Sequence, residues 1–376
     1  MLKILIDATA LRDKPSGIGL YIYHLIEELS KIQTQNNFEL QIVYQPSIKN
    51  WLKVNLYPFQ PLQKYSNLYC LPIPVSLSHL IANHSSFICS YFDQYLDSPN
   101  LIHGTDHVVY PCRHALKVMT IHDLTFIKYP NFVNSRVKTY TQRVKQCLKW
   151  TDLVLTVSQS TKLDIIQYLG VKEEKIYVTP LASRYTKVPQ ISRSIEHLKP
   201  YILFVSTIEP RKNVTNLIVA FNYLKQTHKI EHKLVLIGQK GWEYTSIFAA
   251  IENSFYQKDI HHLDYLSDDE VAYFYSQADV FVYPSIYEGF GLPVLEAMTL
   301  GTPVITSNTS SLPEIAGDAA IKIDPENLIQ IAEAILEVIS SSQLRQSLIT
   351  KGKERVKLFS WEKTAKQTLN AYKSIL

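Results

Sequence analysis

The sequence predicts an α/β protein built from two doubly wound domains, and three observations predict it. Short apolar runs of strand length alternate with segments of helical period along the chain. The alternation stops at a polar stretch, Lys187–Pro200, and starts again at Tyr201. The 376 residues suffice for two domains of ordinary size, each with its own core.

The first series opens with Leu2–Ile6, an apolar run of buried-strand type. A glycine-containing turn, Ser16-Gly-Ile-Gly19, is expected next, and then a helix through Tyr21, Leu25, Ile26 and Leu29, which recur at helical spacing. Strand, glycine turn and helix in that order open a parallel α/β unit. Further strands are expected at Leu40–Tyr44, Lys117–Ile121, Leu153–Val157 and Lys175–Thr179. Between Trp51 and Leu96 the pattern dissolves into Pro- and aromatic-rich sequence, and no element is assigned there. Beyond the linker the pattern restarts with Tyr201–Val205 and a helix at Val214–Tyr223, followed by strands at Leu234–Ile237, Val280–Tyr283 and Pro303–Thr306. The boundaries that follow are 1–186, a linker 187–200, and 201–358. Ligands of doubly wound sheets sit at the carboxyl ends of the strands, so the expected site is a cleft between the two domains.

Composition narrows the function. Nearly half the residues are apolar (46%) and 19% are charged, which describes a globular chain. The net charge of +4 is uneven: residues 1–185 carry 19 basic and 13 acidic side chains, a balance of +6, and the remainder carries 19 and 21, a balance of −2. Much of the excess is Arg136, Lys138, Arg143, Lys145 and Lys149, a run without an acidic residue. It reads either as a solvated helix face or as a patch for anionic lipid headgroups or a diphosphate-bearing acceptor. No nucleic-acid module accompanies it, so nucleic acid is not an expected partner. Cys70, Cys89, Cys112 and Cys147 form no C-x-x-C pair, which points to reduced thiols in a cytoplasmic protein. Lys3 interrupts the first apolar run too early for a signal peptide, and no apolar run reaches membrane-spanning length. Membrane contact is therefore expected to be peripheral, at the inner face of the plasma membrane.

The strongest chemical signal lies in Tyr283–Gly301. A strand ends at Tyr283, a loop crosses Gly289 and Gly291, and a helix begins with Pro293 at its first position and stops at Gly301. The N–H groups and dipole of such a helix start favour phosphate or polar sugar oxygens, and the glycines let the backbone approach a ligand. Glu288 stands at the loop entrance and Glu296 one turn into the helix, so both are expected to face the same pocket. Upstream, Arg211 and Lys212 fall between a buried strand and a helix start, where cations can meet an anionic ligand. His122 at a strand end is read either as a hydrogen-bonded structural residue or as a site residue. His103, Asp106 and His107 suggest a metal cluster only weakly against a loop of ordinary polar contacts. No Asp-x-Asp pair occurs, so neither a metal nor another cofactor is expected.

The Glu288–Glu296 spacing resembles the E-x7-E signature of glycosyltransferase family 4, retaining enzymes of the GT-B fold, and the similarity runs over most of the chain. Asp7 with Ser16-Gly-Ile-Gly19 resembles the family's N-terminal glycine loop, Thr120-Ile-His-Asp-Leu124 its His-Asp segment, and Val157-Ser158 a strand end. Ser206-Thr-Ile-Glu-Pro-Arg-Lys-Asn213 is similar to its G-T-x-E-P-R-K-N loop, with Ser206 in place of the glycine. Ser311-Leu-Pro-Glu314 and Gly317-Asp318 resemble downstream elements, and Phe359-Ser-Trp361 the start of a terminal helix, 359–376, that returns to the N-terminal domain. Val178-Thr-Pro-Leu-Ala182 lacks the glycine of the family's turn.

The resemblance implies two Rossmann-like domains facing each other across a cleft, and it implies roles. Arg211 and Lys212 would neutralise the donor diphosphate, Glu288 would contact the hydroxyls of the transferred sugar, and Glu296 the ribose. Thr207, and the backbone at Phe290, Gly291 and Leu292, would touch the donor, as would Gly17 and Gly19. His122 would face the donor sugar. The implied reaction is metal-independent transfer from a nucleotide-diphosphate sugar, by a front-face mechanism, to a saccharide or lipid-linked saccharide hydroxyl in cell-envelope or exopolysaccharide synthesis. The loop and His-Asp segments resemble the mannosyltransferase branch, which makes GDP-mannose the first candidate donor, with UDP-sugars close behind. The alternatives are a nucleotide-sugar epimerase and a non-catalytic sugar-nucleotide-binding scaffold. A glycosidase reading of the two glutamates fits the nucleotide-binding architecture less well.

Overall fold

The computed structural model describes residues 1–12, 17–52, 60–71, 95–133, 137, 139–190 and 195–376. The chain forms two compact units. The first comprises Met1–Ile127, Ser135–Leu181 and Trp361–Leu376; the second comprises Lys128–Asn134 and Ala182–Ser360.

In the first unit the strands β1 (Leu2–Asp7), β2 (Phe38–Tyr44), β3 (Leu68–Cys70), β4 (Leu101–Gly104), β5 (Leu116–Ile121), β6 (Leu153–Thr156) and β7 (Ile176–Val178) build one sheet. Their order is β3-β2-β1-β4-β5-β6-β7, and every pairing is parallel. Parallel strands are covered on both faces, which is why Ile4, Leu5 and Ile6 are all fully buried. The helix Gly17–Ile32 follows β1 and buries Tyr21, Ile22, Leu25, Ile26 and Leu29, one face at helical spacing. The helix Trp361–Lys373, last in the chain, belongs to this unit. Its Trp361 stacks on His24 with ring centroids 4.7 Å apart.

The second unit repeats the plan. Strands β8 (Tyr201–Val205), β9 (Lys233–Ile237), β10 (Ile260–Leu263), β11 (Val280–Tyr283), β12 (Val304–Ser307) and β13 (Ala320–Ile323) pair in the order β10-β9-β8-β11-β12-β13, again all parallel. In each sheet the order reverses direction once, between β1 and β4 and between β8 and β11. Connections leave to opposite sides there and open a crevice at the carboxyl ends of the two central strands.

The strands expected at Tyr201–Val205 and Val280–Tyr283 form with those bounds, and the other expected strands form within two residues of theirs. The short strands β3, β4, β10 and β13 go beyond the sequence pattern. His103 interrupts β4 and His261 and His262 interrupt β10, so neither is an apolar run. Neighbouring strands stabilise them, which a local pattern does not record. The glycine turn needs correction: Gly17 and Gly19 lie within the first turn of the helix Gly17–Ile32. Ser16 of that turn, Cys89, Arg136, Lys138 and most of the unassigned stretch fall outside the described residues. Of the basic run, Arg143, Lys145 and Lys149 are exposed, with Val144 and Cys147 turned inward from the helix Tyr140–Cys147. Among the described residues no helix is long and apolar enough to cross a membrane.

Candidate donor-binding site

Two loops meet at the crevice of the second sheet. The first leaves β8 at Ser206 and runs beside the loop after β9: Ser206 N–H donates to the Ile237 carbonyl at 3.0 Å and Ile208 N–H to that of Gln239 at 2.9 Å. Gly238 makes this approach possible. Its φ is +145°, and a Cβ there would lie 1.9 Å from the Ser206 carbonyl oxygen. Thr207 is exposed on the loop. A single 3-10 turn, Pro210–Lys212, ends at Asn213 with φ +59°, and the helix Val214–Thr227 starts there. Asparagine tolerates this left-handed conformation better than other side-chain-bearing residues. The Asn213 side-chain amide donates to the Pro325 carbonyl at 2.6 Å. The turn thus presents Arg211 and Lys212 together.

The second loop leaves β11 after Tyr283. Ile286 N–H donates to the Arg211 carbonyl at 3.0 Å, which ties the loops together through backbone. Ser310 Oγ accepts from Glu288 N–H at 3.0 Å, and Ser311 Oγ lies 2.9 and 2.8 Å from the carbonyl oxygens of Glu288 and Phe290. Gly291 then takes φ +109° as the N-cap of the helix Leu292–Thr299, with Pro293 in its first turn. The φ of Gly291 favours glycine, and a Cβ there would also push Leu312 Cδ2, 2.8 Å away, aside. Phe290 and Gly291 are buried and Leu292 partly so.

Side chains from both loops converge on Glu288. Its Oε1 accepts from Lys212 Nζ at 2.5 Å, Ser285 Oγ at 2.6 Å and Tyr283 OH at 2.9 Å. Lys212 Nζ also donates to Tyr283 OH at 2.8 Å. Glu288 Oε2 faces Arg211 Nη1 at 3.1 Å, while the same guanidinium reaches Glu209 and the Tyr287 carbonyl. Glu288 and Lys212 are almost fully buried. Burial pushes the Glu288 carboxyl up, but Arg211 and Lys212 outweigh it and hold it at about 2. Burial and the neighbouring Arg211 pull Lys212 below the usual lysine range, against the attraction of Glu288. The result is a carboxylate fixed in its acceptor form, with its Oε1 filled by donors and its Oε2 flank on the guanidinium.

Glu296 does not join this cluster. It is buried one turn into its helix and pairs with Arg184, whose Nε stands 3.0 Å from Oε1. Burial pushes its carboxyl above the usual range, and Arg184 opposes the shift. The two glutamates are therefore served by different cations. Arg184, the Tyr283 hydroxyl, Ser285 and Gly238 were not expected from the sequence. Arg184 lies 112 positions from Glu296, and no local pattern marks it.

His122 belongs to the first unit, at the end of β5. It is buried, and its Nε2 lies 2.8 Å from the Thr105 carbonyl. A carbonyl only accepts, so Nε2 carries the hydrogen and Nδ1 presents a lone pair. Burial, with His107 nearby, lowers its pKa to about 4, so the ring is neutral at pH 7. Tyr21 packs edge-on against it at 5.0 Å. Below it His103 bonds Thr120 Oγ1 at 2.7 Å and Tyr372 OH at 2.6 Å, and His107 Nδ1 bonds Asp106 at 2.8 Å. Ordinary polar contacts thus engage both histidines, and among the described residues no group of His, Cys, Asp or Glu side chains is gathered as for a metal. Gly17 is exposed and Gly19 buried in the helix that follows β1.

Two doubly wound units, one with a cation-carboxylate cluster at its switch point, are the make-up of the GT-B fold class. Residues 15–182 match the family described as Glycosyltransferase Family 4, and residues 190–355 match Glycosyl transferases group 1. The chain is 34% identical to the O-antigen chain mannosyltransferase B of Escherichia coli over 285 residues, 73% of this chain and 74% of that one. It is 30% identical to the MMP alpha-(1->4)-mannosyltransferase of Mycolicibacterium hassiacum over 227 residues, 59% of this chain and 54% of that one. It spans only 37% of the length of the Escherichia coli serotype-specific mannosyltransferase WbdA, at 24% identity over 79% of this chain. Among solved structures, the sucrose-phosphate synthase of Thermosynechococcus elongatus superposes with a TM-score of 0.76 at 21% identity, covering 100% of this chain and 99% of that one. Anabaena HepE in complex with UDP and glucose gives 0.72 at 16% identity, with both chains fully covered. At those identities the structures speak for the fold alone. The chain belongs to glycosyltransferase family 4 and is a nucleotide-sugar-dependent glycosyltransferase.

Proposed function

We propose that the protein is a retaining hexosyltransferase that moves mannose from GDP-mannose to a saccharide or lipid-linked saccharide hydroxyl. The observation that carries the donor assignment is the Arg211–Lys212–Glu288 cluster at the β8/β11 switch point. Departure of a nucleoside diphosphate builds negative charge, and fixed cations stabilise it best in a site closed to water. Two of the three Lys212 ammonium hydrogens serve Tyr283 and Glu288, and the third serves a phosphate oxygen of the donor. Arg211 supports the same oxygens from its flank of the cluster. Glu288 Oε2 receives a sugar hydroxyl, since an ionised carboxylate only accepts.

His122, neutral and with Nδ1 as acceptor, takes a second sugar hydroxyl. Glu296 takes the ribose hydroxyls. Thr207, and the backbone at Phe290, Gly291 and Leu292, line the diphosphate and sugar, with Gly17 and Gly19 near the phosphates. The diphosphate leaves as an oxocarbenium-like sugar forms, and the acceptor attacks from the leaving-group side. A phosphate oxygen takes the acceptor proton, so no protein nucleophile is needed and the anomeric configuration is kept. Mannose is favoured over other hexoses by the mannosyltransferase names of the relatives, and a polysaccharide or lipid-linked acceptor by the O-antigen chain in the first of them. The exposed Arg143, Lys145 and Lys149 suit peripheral contact with an anionic membrane face.

Incubation with a panel of nucleotide sugars, with and without mannose-terminated acceptors, tests this reading. The expected result is release of GDP from GDP-mannose that depends on acceptor. Isomerised donor without acceptor would make the protein an epimerase, and binding without turnover a scaffold.

A further inference from the structure

We propose that Arg184 is a positioning residue, setting the Glu296 carboxylate for the two ribose hydroxyls of the donor nucleotide. The inference rests on the ribose role assigned to Glu296 above. Arg184 lies on the segment that follows β7, far from both site loops in sequence. Its Nε stands 3.0 Å from Glu296 Oε1 and its Nη2 3.5 Å from Oε2, so the guanidinium lies along one edge of the carboxylate. The remaining arm, Nη1, is held by Asp268 Oδ1 at 2.8 Å. Asp268 opens the helix Asp268–Gln277, whose first turn is capped by Ser267. The Tyr185 ring supports the guanidinium from its face at 4.8 Å, and Tyr275 packs against that ring at 6.4 Å. Glu296, Asp268 and the Tyr185 ring thus hold the guanidinium from three directions.

The consequence follows from the geometry of a carboxylate. It offers about four lone-pair directions. Arg184 lines one edge, with Nη2 donating to Oε2 at 3.5 Å and Nε in ion-pair contact with Oε1, and acceptor directions away from that edge suit the paired hydroxyls of a ribose. Burial works against this arrangement by favouring the protonated acid, which turns one acceptor oxygen into an O–H. Among the described residues Arg184 is the ion-pair partner of Glu296; its charge opposes protonation, as does the Tyr275 hydroxyl, whereas the nearby Asp268 favours it. Removing the guanidinium should therefore impair ribose recognition, and more so as the pH falls.

The test compares binding of GDP with 2′,3′-dideoxy-GDP by calorimetry, with UDP and its dideoxy form in parallel, at pH 8 and pH 6. The probes are the intact protein and its Arg184→Gln, Arg184→Lys and Glu296→Gln variants. The unmodified protein should bind the dideoxy nucleotide about tenfold more weakly at both pH values. Arg184→Gln should keep part of that discrimination at pH 8 and lose it at pH 6, while Arg184→Lys, which restores charge without the fork, should retain more of it at pH 6. An Arg184→Gln protein that discriminates like the unmodified one at both pH values would overturn the inference. Should that variant not fold, Arg184→Lys decides, since undiminished discrimination at pH 6 would overturn it equally. If Glu296→Gln itself keeps the full discrimination, the ribose assignment fails, and the inference with it; loss in Glu296→Gln beside none in either Arg184 variant sinks the inference alone.

Discussion

Lys212 sits where three requirements compete. Its burial disfavours the ammonium, Arg211 beside it repels it, and Glu288 at 2.5 Å favours it. Lys212→Ala leaves Glu288 with Arg211 as its remaining ion-pair partner and, in the proposed donor-binding role, removes one fixed charge from the departing diphosphate. The expected outcome is a fall in kcat of about 10²–10³, read from initial rates of acceptor-dependent nucleotide release. His103 supports a second prediction, on stability. The unfolded ring gains its proton near 6.5, whereas burial keeps the folded ring neutral down to about 3. Its contribution to stability is whole above pH 6.5 and drains as the pH falls toward 3. His103→Gln, which can still bond Thr120 and Tyr372, should lose less melting temperature between pH 7 and pH 5 than the unmodified protein does. Thermal unfolding at the two pH values measures it. The cations and Glu288 were legible in the sequence because each follows a buried strand within a few residues, so local order places them. Arg184 was not, since its role arises from Asp268 and Glu296, which the fold brings to it from distant positions.

At the scale of elements, the site depends on loops that pass closer than a side chain permits. Gly238→Ala would set a methyl 1.9 Å from the Ser206 carbonyl oxygen at φ +145°, so the loop bearing Arg211 and Lys212 must move. A loss of about 2 kcal/mol in stability is expected, with donor affinity weakened as well. Gly170→Ala is the control: φ is +66°, but nothing lies within 4 Å of the added carbon, and the residue caps the helix Gln159–Leu169. It should lower stability by about 1 kcal/mol through backbone strain alone and leave donor binding untouched. Denaturant unfolding and nucleotide titration of both variants separate the two effects. The helix start at Gly291 was readable because glycine, proline and a following glycine stand in register around it. The strands β4 and β10 were not, because their histidines break the apolar run, and their neighbours in the sheet supply what the pattern lacks.

Over the whole molecule, the two sheets share one strand order about their switch points, and the second carries the Arg211–Lys212–Glu288 cluster at its own. The repeated strand–helix series announced this plan in the sequence, since each parallel unit must return through a helix before its next strand. A nucleotide that binds the folded second unit and not the unfolded chain must raise its apparent stability. GDP at about 100 times its Kd should add about 2.7 kcal/mol, visible as a rise in melting temperature that Lys212→Ala reduces. The identity of the sugar and the stereochemistry lie beyond any residue pattern and need the product. Proton NMR of the transfer reaction, followed from GDP-mannose and a mannose-terminated acceptor, reads both at once. Retaining mannosyl transfer gives a new α-anomeric signal growing in step with free GDP from the first time point. A β-linked first product, or donor consumed at the same rate without acceptor, would contradict it.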